Sequence, residues 1–161
     1  QVSAVAFSAA DVSFVDDIAL SEIPDLLKKW PVVWIDVVGL GSAELIEGVG
    51  ELLQLHHLAL EDVVNAHQRP KVEEYEDATF IVCNMIHAED GLQTEQISMF
   101  VGEGFVVTFQ ERPGDCFGPI RDRIRNGRGR VRREGPDYLA YTLIDAVIAL
   151  SLLPIGRCRR S

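Results

Sequence analysis

The sequence predicts an α/β fold, a three-layer α/β/α sandwich around a mixed, largely antiparallel central sheet. Three observations point there. Residues Val32-Val33-Trp34-Ile35-Asp36-Val37-Val38 form a nearly continuous β-branched and aromatic run, the signature of a strand buried on both faces. Residues 71 to 110 alternate strand-like runs with tight-turn signals, as in an antiparallel meander. Segments with helical apolar spacing flank both regions, so helices are available to cover the sheet.

Taken in order, Val2–Phe7 and Asp11–Asp16 read as two short strands joined by Ser8-Ala9-Ala10. Ser21 is the expected cap of a helix ending at Trp30, with Lys28 and Lys29 at its negative end and Pro31 as the stop. After the 32–38 strand comes Gly39-Leu40-Gly41, then Ser42 as an N-cap. A helix follows whose apolar face is Leu45, Ile46, Val49, Leu52 and Leu53. Strand, Gly-x-Gly and helix open a dinucleotide fingerprint, but Glu44 stands at the third glycine position and would repel a pyrophosphate. A tight turn is therefore the expected role.

A short helix is expected over His57–Asn65. Leu58 and Val63 should face inward, with Leu60 and Val64 as further candidates. Gln68-Arg69-Pro70 is a turn, because proline biases its predecessor toward extended geometry. Strands follow at Lys71–Glu74, Ala78–His87, Glu95–Val101 and Phe105–Gln110, with Ala88-Glu89-Asp90-Gly91 as a hairpin turn. A polar helix at Asp115–Asn126 should end at Gly127 and Gly129. Pro136 starts the last helix, through Leu139, Leu143, Ala146 and Val147.

The 161 residues suggest one domain with a real core, and 47% hydrophobic content argues against disorder. Net charge is −10 and uneven: residues 1–112 carry 20 acids and 5 bases, residues 113–161 carry 5 acids and 10 bases. The acidic majority argues against general nucleic-acid binding and is compatible with a cation partner or plain solubility. Cys83, Cys116 and Cys158 form no pair motif, so reduced thiols in a cytosolic setting are expected, with Cys83 a small core residue. No signal peptide is visible, and Gln1 in first place fits a trimmed N-terminus. Tyr138–Ile155 approaches the length of a spanning helix. Asp145 near its middle and Pro154 near its end favour a buried helix instead.

Little supports catalysis. There is no Gly-x-Ser-x-Gly elbow, no activated cysteine turn, and no zinc spacing among His56, His57, His67 and His87. The chain is not expected to be an enzyme. Arg121, Arg123, Arg125, Arg128, Arg130, Arg132 and Arg133 form a basic run without interleaved aromatics, so no stacking platform for single strands exists. A solvated, ion-paired face is the plainer expectation. The alternative function is a soluble oligomerisation or adaptor module that binds a protein partner through Arg121–Arg133. Two acidic clusters stand out, Glu61-Asp62 and Glu73-Glu74-Tyr75-Glu76-Asp77. Neighbours on a helix point about 100° apart, so Glu61 and Asp62 do not chelate one ion as an isolated pair. Each can offer oxygen to a second surface, and magnesium needs only one or two such carboxylates.

Several stretches together carry a family resemblance. They are Trp34-Ile35-Asp36 with Gly39, His56-His57-Leu58-Ala59-Leu60-Glu61-Asp62-Val63 and Gln68-Arg69-Pro70-Lys71-Val72-Glu73. In the same order follow Glu95-Gln96-Ile97-Ser98, Val107-Thr108-Phe109-Gln110-Glu111, Ile120–Arg125, Asp137–Tyr141 and Leu143-Ile144-Asp145-Ala146. From Val32 to Ile148 the chain resembles the cytosolic N-terminal domain of the CorA-type magnesium/cobalt transport proteins. The resemblance implies a regulatory, divalent-cation-sensing, subunit-interface domain. Its parent would be a homopentamer at the cytoplasmic face of the cell membrane, joined to the membrane only by a stalk and a pair of helices bearing Gly-Met-Asn. It also implies that Glu61, Asp62 and Asp145 are the metal ligands, binding Mg2+ weakly, with Co2+ as the other ion. Asp145 is then either a ligand that resolves a costly buried charge or an exposed residue on an amphipathic helix.

The departures matter equally. His57 replaces the family's usual proline. The match ends after Ile148. Residues 1–148 are therefore expected to be the regulatory domain, with 149–161 an atypical tail outside the fold and no stalk or pore helix. Such a fragment is expected to be soluble and unable to conduct ions. Its partners would be divalent cations and its own copies, as a monomer or weak oligomer.

Overall fold

The computed structural model describes residues 1–87, 93–114 and 116–151. The strands are β1 (Val2–Phe7), β2 (Val12–Val15), β3 (Val32–Val38), β4 (Lys71–Glu74), β5 (Ala78–His87), β6 (Gln93–Gly102) and β7 (Phe105–Gln110). The helices are α1 (Ile23–Lys29), α2 (Ala43–Leu53), α3 (His57–Val64), α4 (Gly118–Asn126) and α5 (Pro136–Ser151). The expected turn at 88–91, Asp115 and Cys158 lie outside the described residues.

One seven-stranded sheet runs in the order β2-β1-β3-β7-β6-β5-β4. The expected meander is present: β4, β5, β6 and β7 pair consecutively and antiparallel. β3 pairs antiparallel with β1 and parallel with β7, the one parallel ladder among the described residues. That position explains its apolar sequence, because helices cover β3 on both faces. On one face Val33, Ile35 and Val37 pack with Ile23 of α1, Ile46 and Val49 of α2, and Ala59 and Val63 of α3. On the other, Trp34 packs with Phe117 and with Ile120 and Ile124 of α4, joined by Leu139, Leu143 and Val147 of α5. The result is the expected α/β/α sandwich.

Local chemistry sets most element ends. Ser42 Oγ accepts the Leu45 N–H at 3.2 Å and caps α2. Gly39 takes φ +92°, and its N–H donates to the Gln110 carbonyl at 2.8 Å, so the turn after β3 is stitched to the end of β7. Gly127, at φ +67°, ends α4. Ser21 does not cap α1. It lies in a 3-10 turn, Leu20–Glu22, and Pro24 in the first turn of α1 fixes the entry instead. Cys83 is half-buried against the second core cluster, and burial raises its thiol pKa. α5 runs on to Ser151, whose Oγ accepts the Ile86 N–H at 3.2 Å. Among the described residues no helix is long and apolar enough to cross a membrane.

Candidate functional site

α3 is seated by two small side chains. Ala59 and Val63, four apart, are fully buried and point to the sheet. Rotation by about 100° per residue then dictates the rest. Glu61 points away from the sheet and is exposed. Asp62 falls to the flank and is half-buried. Leu60 takes the opposite flank against Gly50 of α2, where a side chain on Gly50 would collide with it. Of the residues expected to face inward, Val63 is fully buried, whereas Leu58 is 52% exposed and Val64 45%.

The start of α3 is unusual. His56 is its N-cap, and Nδ1 accepts the Leu58 N–H at 3.2 Å. The His56 ring stacks on His57 at 4.8 Å and on Tyr75 at 4.5 Å between centroids. The chain here forms its cap with an imidazole and places His57 in the first helical position.

Gln96 holds the other end, a role the sequence reading did not assign. This buried β6 side chain donates Nε2 to the Asp62 carbonyl at 2.9 Å. Its Oε1 accepts the His67 and Gln68 N–H groups at 3.0 and 2.8 Å. Asn84 Nδ2 adds a bond to the Gln68 carbonyl at 3.1 Å. The turn after α3 is thus tied to β5 and β6. Gln96 stands beside Thr94, Glu95 and Ser98 in the polar half of β6, so the strand's pattern does not single it out.

Asp62 Oδ2 lies 2.6 Å from Lys71 Nζ, which also lies 3.2 Å from Glu73 Oε1. The hydrogen bond to Asp62 is the leading cause that raises the Lys71 pKa. The Tyr75 hydroxyl donates to Glu73 Oε1 at 3.4 Å, and burial foremost raises its own pKa.

Asp145 sits elsewhere. α5 buries Leu139, Leu143 and Val147, and Asp145 lies on its exposed side with Tyr141 and Ile148. The Asp145 side chain is thus exposed rather than buried. It lines a cavity of about 250 Å³ between α4 and α5 with Arg123, Ile120 and Leu150. α3 and α5 cover opposite faces of the sheet. One chain therefore does not bring Glu61-Asp62 and Asp145 together. Among the described residues no three His, Cys, Asp or Glu side chains converge as a metal cage.

The basic run is largely engaged within the chain. Arg121 Nη2 binds the buried Asp36 carboxylate at 2.7 Å and lies over Trp34. Arg125 pairs with Asp122 and stacks on Phe14. Arg130 pairs with Glu134, and Arg132 donates to the Ser8 carbonyl at 3.2 Å.

The profile of the family described as "CorA-like Mg2+ transporter protein" matches residues 31–154, from just before β3 to beyond α5. The chain belongs to the CorA family. This is a family of transport proteins rather than enzymes. The chain is 43% identical over 118 residues to the cobalt/magnesium transport protein CorA of Thermotoga maritima, covering 71% of this chain and 34% of that one. It spans little more than a third of the curated relatives it matches. The CorA soluble domain of Methanocaldococcus jannaschii shares the fold at TM-score 0.68 and 17% identity, over 91% of this chain and 55% of that one. The ZntB cytoplasmic domain of Vibrio parahaemolyticus does so at TM-score 0.66 and 13% identity, over 90% of this chain and 56% of that one.

Proposed function

We propose that this chain is the cytosolic regulatory part of a CorA-type magnesium/cobalt transporter, and that it senses divalent cations where two copies meet. Membership of the CorA family supports the setting. The placement of the acids is the observation that carries the sensing role. Glu61 and Asp62 project from one outer layer and Asp145 from the other, so an ion that met both sets would lie between chains. The donors suit the ion. All three are carboxylates, the hard oxygen ligands that magnesium takes while keeping much of its water. Glu61, Asp62 and Asp145 would hold the ion, with Mg2+ first and Co2+ second, and with the weak affinity of an open surface site. Occupancy that follows ambient ion and favours one assembly over another is the property of a sensor. The homopentameric state belongs to the full-length protein in this reading. The chain alone would be a monomer or weak oligomer, reaching the membrane only through segments it does not include.

Sedimentation of the full chain with and without magnesium tests this. Self-association should rise with magnesium in the wild type and lose that dependence in Asp62→Ala and Asp145→Ala. An identical magnesium response in all three proteins would refute the site.

A further inference from the structure

The half-buried carboxylate of Asp62 already has a cation. Lys71 reaches it from the edge strand β4 at 2.6 Å, with its ammonium 5.9 Å from the Phe80 ring centroid. Asp62 itself is immobilised. Its carbonyl is bonded to Gln96, and Ala59 and Val63 lock α3 to the sheet. Any ion that is to use Asp62 must therefore come to it, and must meet the ammonium there. Lys71 has a second carboxylate within reach, Glu73 at 3.2 Å, on the same strand. An ammonium that withdraws from Asp62 is thus not left without a partner. The lysine stem is flexible, whereas the two acids it bridges sit on α3, seated through Ala59 and Val63, and on β4, paired with β5.

We infer that Lys71 is a tethered competitor for the divalent cation at Asp62. It neutralises Asp62 when no ion is bound and moves onto Glu73 when one arrives. This rests on the reading of Asp62 as an ion ligand and adds what sets its threshold. A divalent ion gains Asp62 only by displacing an ammonium of high local concentration. That holds the affinity low and makes occupancy depend on Lys71 and Glu73, neither of which need touch the ion. In the sequence Glu73 is one of a cluster of acids, Glu73-Glu74-Tyr75-Glu76-Asp77. Its distance from Lys71 gives it a specific part as the resting place of the displaced charge.

The test is a magnesium chloride titration of the full chain at constant ionic strength. It is followed by the carboxyl ¹³C resonance of Asp62 and the ¹⁵N resonance of the Lys71 ammonium. In the wild type both signals should move with one midpoint. Lys71→Met keeps the stem over Phe80 and removes the charge; its midpoint should fall roughly threefold to tenfold. Lys71→Gln should shift in the same direction, which guards against a packing effect peculiar to methionine. Glu73→Gln removes the resting place and should raise the midpoint. An unchanged or higher midpoint in both Lys71 variants, with the response abolished in Asp62→Asn, would refute the competition and leave the ion site standing. A response that survives in Asp62→Asn would remove the ion site and this inference with it.

Discussion

Asp36 places a carboxylate in a strand whose other side chains are apolar, and it is only 3% exposed. It is tolerated because every direction supplies a donor. Thr108 Oγ1 donates at 2.7 Å, Gln110 Nε2 at 2.9 Å and Arg121 Nη2 at 2.7 Å. Trp34 Nε1 donates to Thr108 Oγ1 at 2.9 Å and completes the network. These residues belong to β3, β7 and α4, so the pair fixes how α4 lies across the parallel ladder. Removing one member of a buried ion pair leaves the other charge uncompensated. Arg121→Ala is expected to lower unfolding free energy by about 2–4 kcal/mol, somewhat below the fully buried range because Arg121 is partly exposed. Urea denaturation measures it. A loss under about 0.5 kcal/mol, the level of an ordinary surface change, would contradict the account.

α3 shows how an element can be found correctly and oriented wrongly. Its eight residues contain five apolar ones, so hydrophobicity hardly discriminates between faces. Ranking by side-chain size selects Leu58, whereas the tight approach of helix to sheet selects Ala59 and Val63 at i and i+4. Both readings bury Val63, and they part at Leu58. Val63→Ala should cost about 1–3 kcal/mol, from lost burial and a small cavity. Leu58→Gln should stay within about 0.5 kcal/mol of wild type, as an exposed substitution. Thermal unfolding of both variants checks the pair, and equal losses would refute the orientation. The same orientation sets the site, because it sends Glu61 outward and leaves Asp62 on the Lys71 flank.

On the scale of the whole molecule, three raised pKa values lie at one end of the sheet. Cys83 is on β5, Lys71 on β4, and Tyr75 follows β4 directly. All three are raised from ordinary values of 9.0, 10.5 and 10.0 respectively. A group whose folded pKa is raised holds its proton more tightly when folded. Its contribution is complete below the unfolded pKa and is lost as pH rises through the folded one. The chain should therefore keep its neutral-pH stability until about pH 9 and lose it progressively above, past pH 10.5. Circular-dichroism melts across that range should show the decline. Hydrogen exchange should place the first loss of protection at β4 and β5. A decline that begins at the β1–β2 edge would contradict this assignment.

Much of this molecule was legible in the chain's own pattern. The β3 run, the meander, the Ser42 cap and the helix-ending Gly127 depend on propensity and spacing, which act over a few residues and survive without tertiary context. The family wording brought the three acids forward. Other features depend on which distant residues become neighbours, and sequence spacing does not encode that. Gln96 reaches back to the turn after α3 across 28 and 29 residues, and Arg121 finds Asp36 across 85. Lys71 meets Asp62 only because β4 runs alongside α3. Above all, sandwich packing sends Asp62 and Asp145 to opposite faces. The sequence by itself determined the elements and the carboxylates available. Only the tertiary structure decided that these carboxylates cannot meet within one chain, because a covered sheet stands between the helices that carry them.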